Sequence, residues 1–229
     1  MPSYLVTGAS RGLGFGFIQV LSSNPENTVV GLVRNKAATD KKLDEELSSP
    51  DNAHIGAVEA VSEIVKGSLD FLIAMQASSH CGNLHLFNLF TPLVLKGQGK
   101  KVIAISSGMS DIDFIRQFEI EPAPAYAVSK AGTSVLTAKF AARYAKEAVL
   151  FMSICPGSVD SGFEGELTEE QREKVDKLGS KFVNYAPDFK DPSTPVDSAK
   201  AVLKVMDEAS LENGSSGALV SKFGSKQWM

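Results

Sequence analysis

The sequence predicts an α/β fold with a doubly wound, mostly parallel sheet, and two patterns carry that prediction. Short apolar runs alternate with longer stretches of helical periodicity, as in successive βαβ units. Most of those runs are continuously apolar, as strands are when helices cover both faces of their sheet. A length of 229 residues, 43% of them hydrophobic and 22% charged, suits one domain over residues 1–229 with its own core.

Taken in order, the first strand is Tyr4–Thr7, and a glycine-rich turn leads from it into a helix over Gly12–Ser22. Thr28–Val33 is the second strand. Lys36–Asn52 is polar and charged, which predicts a solvated loop with some helix. A short third strand, Ala53–Ile55, and a helix over Ala57–Lys66 precede the fourth strand, Asp70–Ala74. The helix Leu84–Lys96 is apolar around most of its circumference and is expected to be a core helix. Lys101–Ser106, a helix over Ala125–Glu147 and the strand Val149–Ile154 continue the alternation. Ser161–Thr194 interrupts it with a long insertion around a charged helical centre, Thr168–Lys177, the kind of segment that serves as a substrate lid. Its Phe163, Phe182, Tyr185 and Phe189 point to an apolar pocket. A helix over Val196–Glu208 has Thr194 as N-cap, Pro195 at the first helical position and Asp197 in the first turn. Gly217–Ser221 is the last strand.

Composition narrows the function. There are 23 basic against 27 acidic residues, a formal charge of −4, and the basic ones form no stripe. No nucleic-acid partner is expected, and a small-molecule substrate is. Cys81 and Cys155 are too few for a disulfide framework and suit a reducing compartment. The chain enters its first strand without a basic leader and holds no apolar run of membrane-spanning length, so a cytoplasmic protein without membrane contact is expected. His54, His80 and His85 are not spaced as a ligand set, and no metal is expected.

Three motifs carry chemistry. The first is Gly8-Ala9-Ser10-Arg11-Gly12-Leu13-Gly14, where glycines let the backbone approach a pyrophosphate held by a helix N-terminus. In the second, Val33-Arg34-Asn35-Lys36, a cation stands at the end of the second strand, where an NAD site would carry a carboxylate. With Arg11 it selects a 2′-phosphate and hence NADP(H) over NAD(H). The third is Tyr126-Ala127-Val128-Ser129-Lys130, a phenol and an ammonium four residues apart on one helix face. A neighbouring cation lowers a phenol's pKa, which makes the pair a candidate acid/base device, although such spacing is common among surface pairs. Ser106-Ser107-Gly108 ends a strand at the ligand-binding edge of an open α/β sheet, and no Gly-x-Ser-x-Gly elbow supports a hydrolase.

These motifs, followed by Pro156-Gly157-Ser158-Val159-Asp160-Ser161, stand in the chain order of the classical short-chain dehydrogenase/reductase family. From Tyr4 to about Gly224 the chain resembles that family, above all its fungal ketoreductases typified by norsolorinic acid ketoreductase. The resemblance implies a Rossmann domain that passes hydride between NADP(H) and a carbonyl or alcohol of a small, rather apolar molecule in secondary metabolism. It implies Tyr126 as acid/base, Lys130 as the residue lowering its pKa and holding the nicotinamide ribose, and Ser107 as the group orienting the substrate oxygen. Gly8, Ser10, Arg11, Gly12, Leu13 and Gly14 would form the pyrophosphate turn, with Arg11 and Arg34 on the 2′-phosphate. Pro156, Gly157, Val159 and Ser161 would lie beside the nicotinamide carboxamide. Helices Leu84–Lys96 and Ala125–Glu147 would join a homo-oligomer.

The chain departs from the family between Ile55 and Gly82, around the third and fourth strands, where it is shortened. Ala74-Met75-Gln76-Ala77 stands where the family carries Asn-Asn-Ala-Gly, and Ser79 where it carries a proton-relaying asparagine. Two alternatives stay open beside the reductase: a non-redox or catalytically impaired protein on the same scaffold, and a chain left with an uncovered apolar sheet face.

Overall fold

The computed structural model describes residues 1–47, 50–75, 80–160, 168–189 and 191–229. Seven strands form one sheet in the order β3-β2-β1-β4-β5-β6-β7, every pairing parallel. They are β1 (Ser3–Thr7), β2 (Thr28–Leu32), β3 (Ala53–Gly56), β4 (Phe71–Ala74), β5 (Lys101–Ile105), β6 (Leu150–Cys155) and β7 (Leu219–Ser221). All seven expected strands are present, each within two residues of its expected bounds. The order reverses beside β1, which pairs with both β2 and β4, and the carboxyl ends of strands at such a reversal are where this topology opens a crevice.

Period-two alternation divides the strand residues between two cores. Val6, Ile73 and Ile103 face one side, packed with α1 (Gly12–Ser22) and α8 (Pro195–Glu208). Leu5, Leu72 and Val102 face the other, with α3 (Val58–Ile64), α4 (His80–Val94) and α6 (Pro124–Arg143). Both sheet faces are therefore covered, despite the shortened middle of the chain. A third cluster, Phe114, Ile120, Cys155 and Trp228, closes the carboxyl end of β5 and β6.

Four points differ from expectation. Within Lys36–Asn52, expected as a solvated loop with some helix, Lys36–Leu47 is one continuous helix, α2. Lys36–Asp40, Lys41–Glu45 and Lys42–Glu46 pair at i,i+4 along it, while Leu43 and Thr39 anchor it to the core. α4 buries Phe87, Phe90 and Val94 but leaves Leu84 and Leu89 exposed, so it is amphipathic rather than buried all round. An unforeseen helix, α5 (Ile112–Phe118), follows a 3-10 turn over Gly108–Ser110. Asp111 starts it, its carboxylate accepting from the Asp113 and Phe114 amides. The charged helix of the insertion, α7, runs over Glu169–Tyr185, well past the expected Lys177.

Candidate active site

At the first βα turn the backbone makes an open anion cradle. Gly8 and Gly12 take φ of 64° and 53°, values that L side chains rarely adopt. A Cβ on Gly14 would stand 2.2 Å from the Gly8 carbonyl oxygen, so only glycine lets the helix start so close to the strand, whereas nothing lies within 4 Å of a Cβ on Gly12. The α1 N-terminus receives no side-chain cap, and no acidic residue occupies its first turn. Its free N–H groups and dipole face the space above Gly12. The Leu13 side chain is in the core, so that residue can offer only its backbone, while Ser10 is exposed.

Arg11 and Arg34 flank this cradle. The Gly8 amide donates to the Leu32 carbonyl at 3.0 Å, which sets the loop after β1 against the end of β2. Both arginines are exposed and take part in none of the ion pairs among the described residues. The first carboxylate after β2, Asp40, is occupied by Lys36 at 2.6 Å. These residues fit a dinucleotide with a 2′-phosphate: open N–H groups for the pyrophosphate and two unpaired guanidinium groups for the extra charge. On the far side Met75 packs against Gly8, 3.1 Å from where a Cβ would lie, and its carbonyl accepts from the Thr7 hydroxyl at 3.1 Å. Gln76, Ala77 and Ser79 lie outside the described residues.

The reactive side chains meet across the ends of β5 and β6. Ser106 is buried and tied to Ser134 at 2.8 Å, which makes it structural. Ser107 instead starts the 3-10 turn and accepts from the Met109 amide at 3.2 Å, and its hydroxyl bears on the Tyr126 phenol, acting to lower that group's pKa. Tyr126 stands in the first turn of α6, one turn before Lys130. Although 44% of the residue is exposed, its phenol end is crowded, and burial raises its pKa against the lowering effect of Ser107. The expected lowering by Lys130 is not what this geometry gives. The Lys130 ammonium, in a residue 6% exposed, donates to the Ile105 carbonyl at 2.9 Å and lies 5.5 Å from the Tyr126 ring centre. Burial lowers its own pKa to about 8, with Cys155 pushing it up. A phenol pushed up stays protonated at neutral pH and can donate.

Ser107 and Tyr126 line a cavity of about 170 Å³ with Cys155, Gly157, Phe182 and Trp228. Sequence reasoning did not single out Trp228, which is 2% exposed. Its indole lies on Gly108, where a Cβ would come within 2.5 Å of Trp228 Cγ. The Trp228 amide donates to the Tyr185 hydroxyl at 2.9 Å, and Tyr185 packs on Phe114 and Phe118. Cys155 is a free thiol whose pKa burial pushes up, with the Gly157 and Gly108 amides and the Lys130 and Lys222 charges acting the other way.

Pro156, Gly157 and Val159 lead away from this wall. The Pro156 carbonyl accepts from Ser198 at 2.9 Å, and Val159 bridges to Ser193. Ser161 and Phe163 lie outside the described residues. Phe182 lines the 170 Å³ cavity, whereas Tyr185 and Phe189 line a larger one beside it. Asn83, on α4, is fully buried: its amide donates to Thr133 at 3.3 Å and its Oδ1 has no partner. Among the described residues no three His, Cys, Asp or Glu side chains group as metal ligands, and no helix is long and apolar enough to cross a membrane.

Strand order, glycine cradle and the Ser107–Tyr126–Lys130 group together describe a Rossmann-like α/β oxidoreductase. The family model for short chain dehydrogenase matches residues 51–172, more than half of the chain. The chain therefore belongs to the short-chain dehydrogenase/reductase family, whose members use NAD(P)(H) and bind small-molecule substrates. It is 43% identical to the short chain dehydrogenase virK of Hypocrea virens over 271 aligned positions that cover all of both proteins. That alignment is longer than the 229 residues of this chain, so the relative carries segments this chain lacks. Norsolorinic acid ketoreductase nor1 of Dothistroma septosporum is 27% identical over 98% of this chain and 91% of its own length. The fold is shared with an NADPH-bound carbonyl reductase from chicken fatty liver, at a TM-score of 0.74, 24% identity and 98% coverage of each chain.

Proposed function

We propose that this chain is an NADP(H)-dependent reductase of a carbonyl, or dehydrogenase of the matching alcohol, in a small and rather apolar molecule of secondary metabolism. The observation that carries the reading is the meeting of Ser107 and Tyr126 in one cavity, with Lys130 buried one turn behind. Ser107 holds the substrate oxygen, and Tyr126, kept protonated by burial, gives that oxygen its proton. Lys130 stands against the Tyr126 ring and offers a cation to the phenolate left behind. NADP(H), when bound, supplies or takes the hydride. Gly8, Ser10, Gly12, Leu13 and Gly14 hold its pyrophosphate, Arg11 and Arg34 its 2′-phosphate, and Pro156, Gly157, Val159 and Ser161 its nicotinamide end. One domain carries all of this, and α7, within the expected lid over 161–194, supplies Leu178 and Phe182 as cover. The exposed Leu84, Leu89, Val128 and Val135 of α4 and α6 suit a homo-oligomeric contact, and the compartment is cytoplasmic.

The test is NADPH oxidation with an activated aryl ketone, run beside a binding titration. Tyr126→Phe is expected to lower turnover by about 10²–10⁴-fold and leave NADPH binding intact. Absence of NADPH binding and oxidation by the wild type would favour a non-redox protein on the same scaffold, and unchanged NADPH oxidation in the variant would remove Tyr126 as the proton donor.

A further inference from the structure

Beside the small cavity lies a larger one of about 610 Å³, and the two share Ser158 and Met229 as walls. Its notable side chain is Lys222, the residue after β7. The Lys222 amide donates to the Cys155 carbonyl at 2.8 Å, which fixes its backbone behind the wall of the small cavity. The side chain runs under Gly157, with Cε 3.0 Å from the place a Cβ would take there, so a glycine is what admits it. Its ammonium is half-buried and donates to the Ser193 hydroxyl at 2.6 Å.

No carboxylate among the described residues pairs with this ammonium within 4 Å. The Asp197 carboxylate acts on this ammonium from outside ion-pair distance and already accepts from the Thr194 hydroxyl at 2.7 Å. Asp188 and Asp191 also line the cavity but are exposed, where water screens them. Burial lowers the Lys222 pKa and outweighs Cys155 and Asp197, which act the other way. Three aromatic residues, Tyr185, Phe189 and Phe223, also line this cavity.

We propose that Lys222 anchors a carboxylate of the substrate, so that the reductase takes an apolar keto acid with its carbonyl at Ser107 and its acid group in the larger cavity. The keto part of this inference rests on the reductase reading above; the acid part rests on Lys222 and the cavity alone. A carboxylate there gains a charge-assisted hydrogen bond from a partly desolvated donor, while its apolar body lies on the aromatic wall.

The test needs no cofactor. Trp228 is the chain's single tryptophan and lines the adjoining cavity, so its emission reports binding. Wild type, Lys222→Met and Lys222→Arg would be titrated with 4-phenylbutyrate and with its uncharged amide, 4-phenylbutyramide, and their unfolding temperatures compared. Wild type is expected to bind the acid about tenfold or more tightly than the amide. Lys222→Met should erase that preference at an unchanged unfolding temperature, and Lys222→Arg should retain it. Equal binding of acid and amide by wild type, no binding of either, or a preference that survives Lys222→Met overturns the proposal. Failure of the reductase reading would show separately, as acid preference without NADPH oxidation by any ketone.

Discussion

The two ends of the crevice are built in different ways. At the amino-terminal edge, the turn after β1 and the end of β2 present backbone: positive-φ glycines, uncapped N–H groups and two exposed arginines with no partners to lose. At the carboxyl-terminal wall, Gly108, Tyr126, Cys155, Gly157 and Trp228 arrive from separate elements and fit by mutual packing. The first region is a short local motif that tolerates neighbouring change. The second exists only once the whole sheet is assembled, and a methyl group can disturb it.

That contrast is sharpened most by removing charge from the first region. Arg11→Ala together with Arg34→Ala should weaken NADPH binding by about 10²-fold, leave NADH binding unchanged and leave thermal stability within about 0.5 kcal/mol, since neither arginine is paired. Titration calorimetry with both dinucleotides reads this, and an equal loss for NADH would show that the arginines do not sense the 2′-phosphate.

The second region should answer to pH. Lys130 is held at about 8, below its ordinary 10.5, because burial disfavours its charge. Below about pH 8 that penalty is complete. Between about 8 and 10.5 the unfolded chain binds the extra proton, so stability rises with pH across that window. Denaturant unfolding of wild type and Lys130→Met should diverge there, wild type gaining up to about 3 kcal/mol relative to the variant. Parallel pH curves would contradict the buried ammonium.

Two glycine substitutions give smaller effects of different kinds. Gly108→Ala drives a methyl group into Trp228 and should cost about 1–3 kcal/mol, with a shift in Trp228 emission and unaltered NADPH binding. Gly12→Ala meets open space and only a strained φ of 53°, so it should cost about 1 kcal/mol in stability. Its main effect falls on dinucleotide affinity, because the methyl group projects into the cradle.

What was legible in the sequence follows the same division. Most of the seven strands were readable because a strand covered on both faces is continuously apolar, and α1 because its glycine turn is local. α2 was read as a loop with only some helix because its support comes from i,i+4 ion pairs and the two anchors Thr39 and Leu43 rather than an apolar stripe. For α5 the Asp111 capping signal was present and unread. Ser107, Tyr126 and Lys130 were singled out by motif, but the direction of the Tyr126 shift was not, because it depends on burial by elements far away in the chain. No sequence pattern links Trp228 to Gly108, or Lys222 to Gly157. Those contacts are made by packing alone.

One titration bears most directly on the reading of this chain as an NADP(H) enzyme: NADPH and NADH added separately to the wild-type protein, followed by calorimetry. Saturable binding of NADPH, tighter than NADH by about 10²-fold and reduced to the NADH level by the double arginine substitution, is the expected result. Absence of binding by either dinucleotide would contradict it.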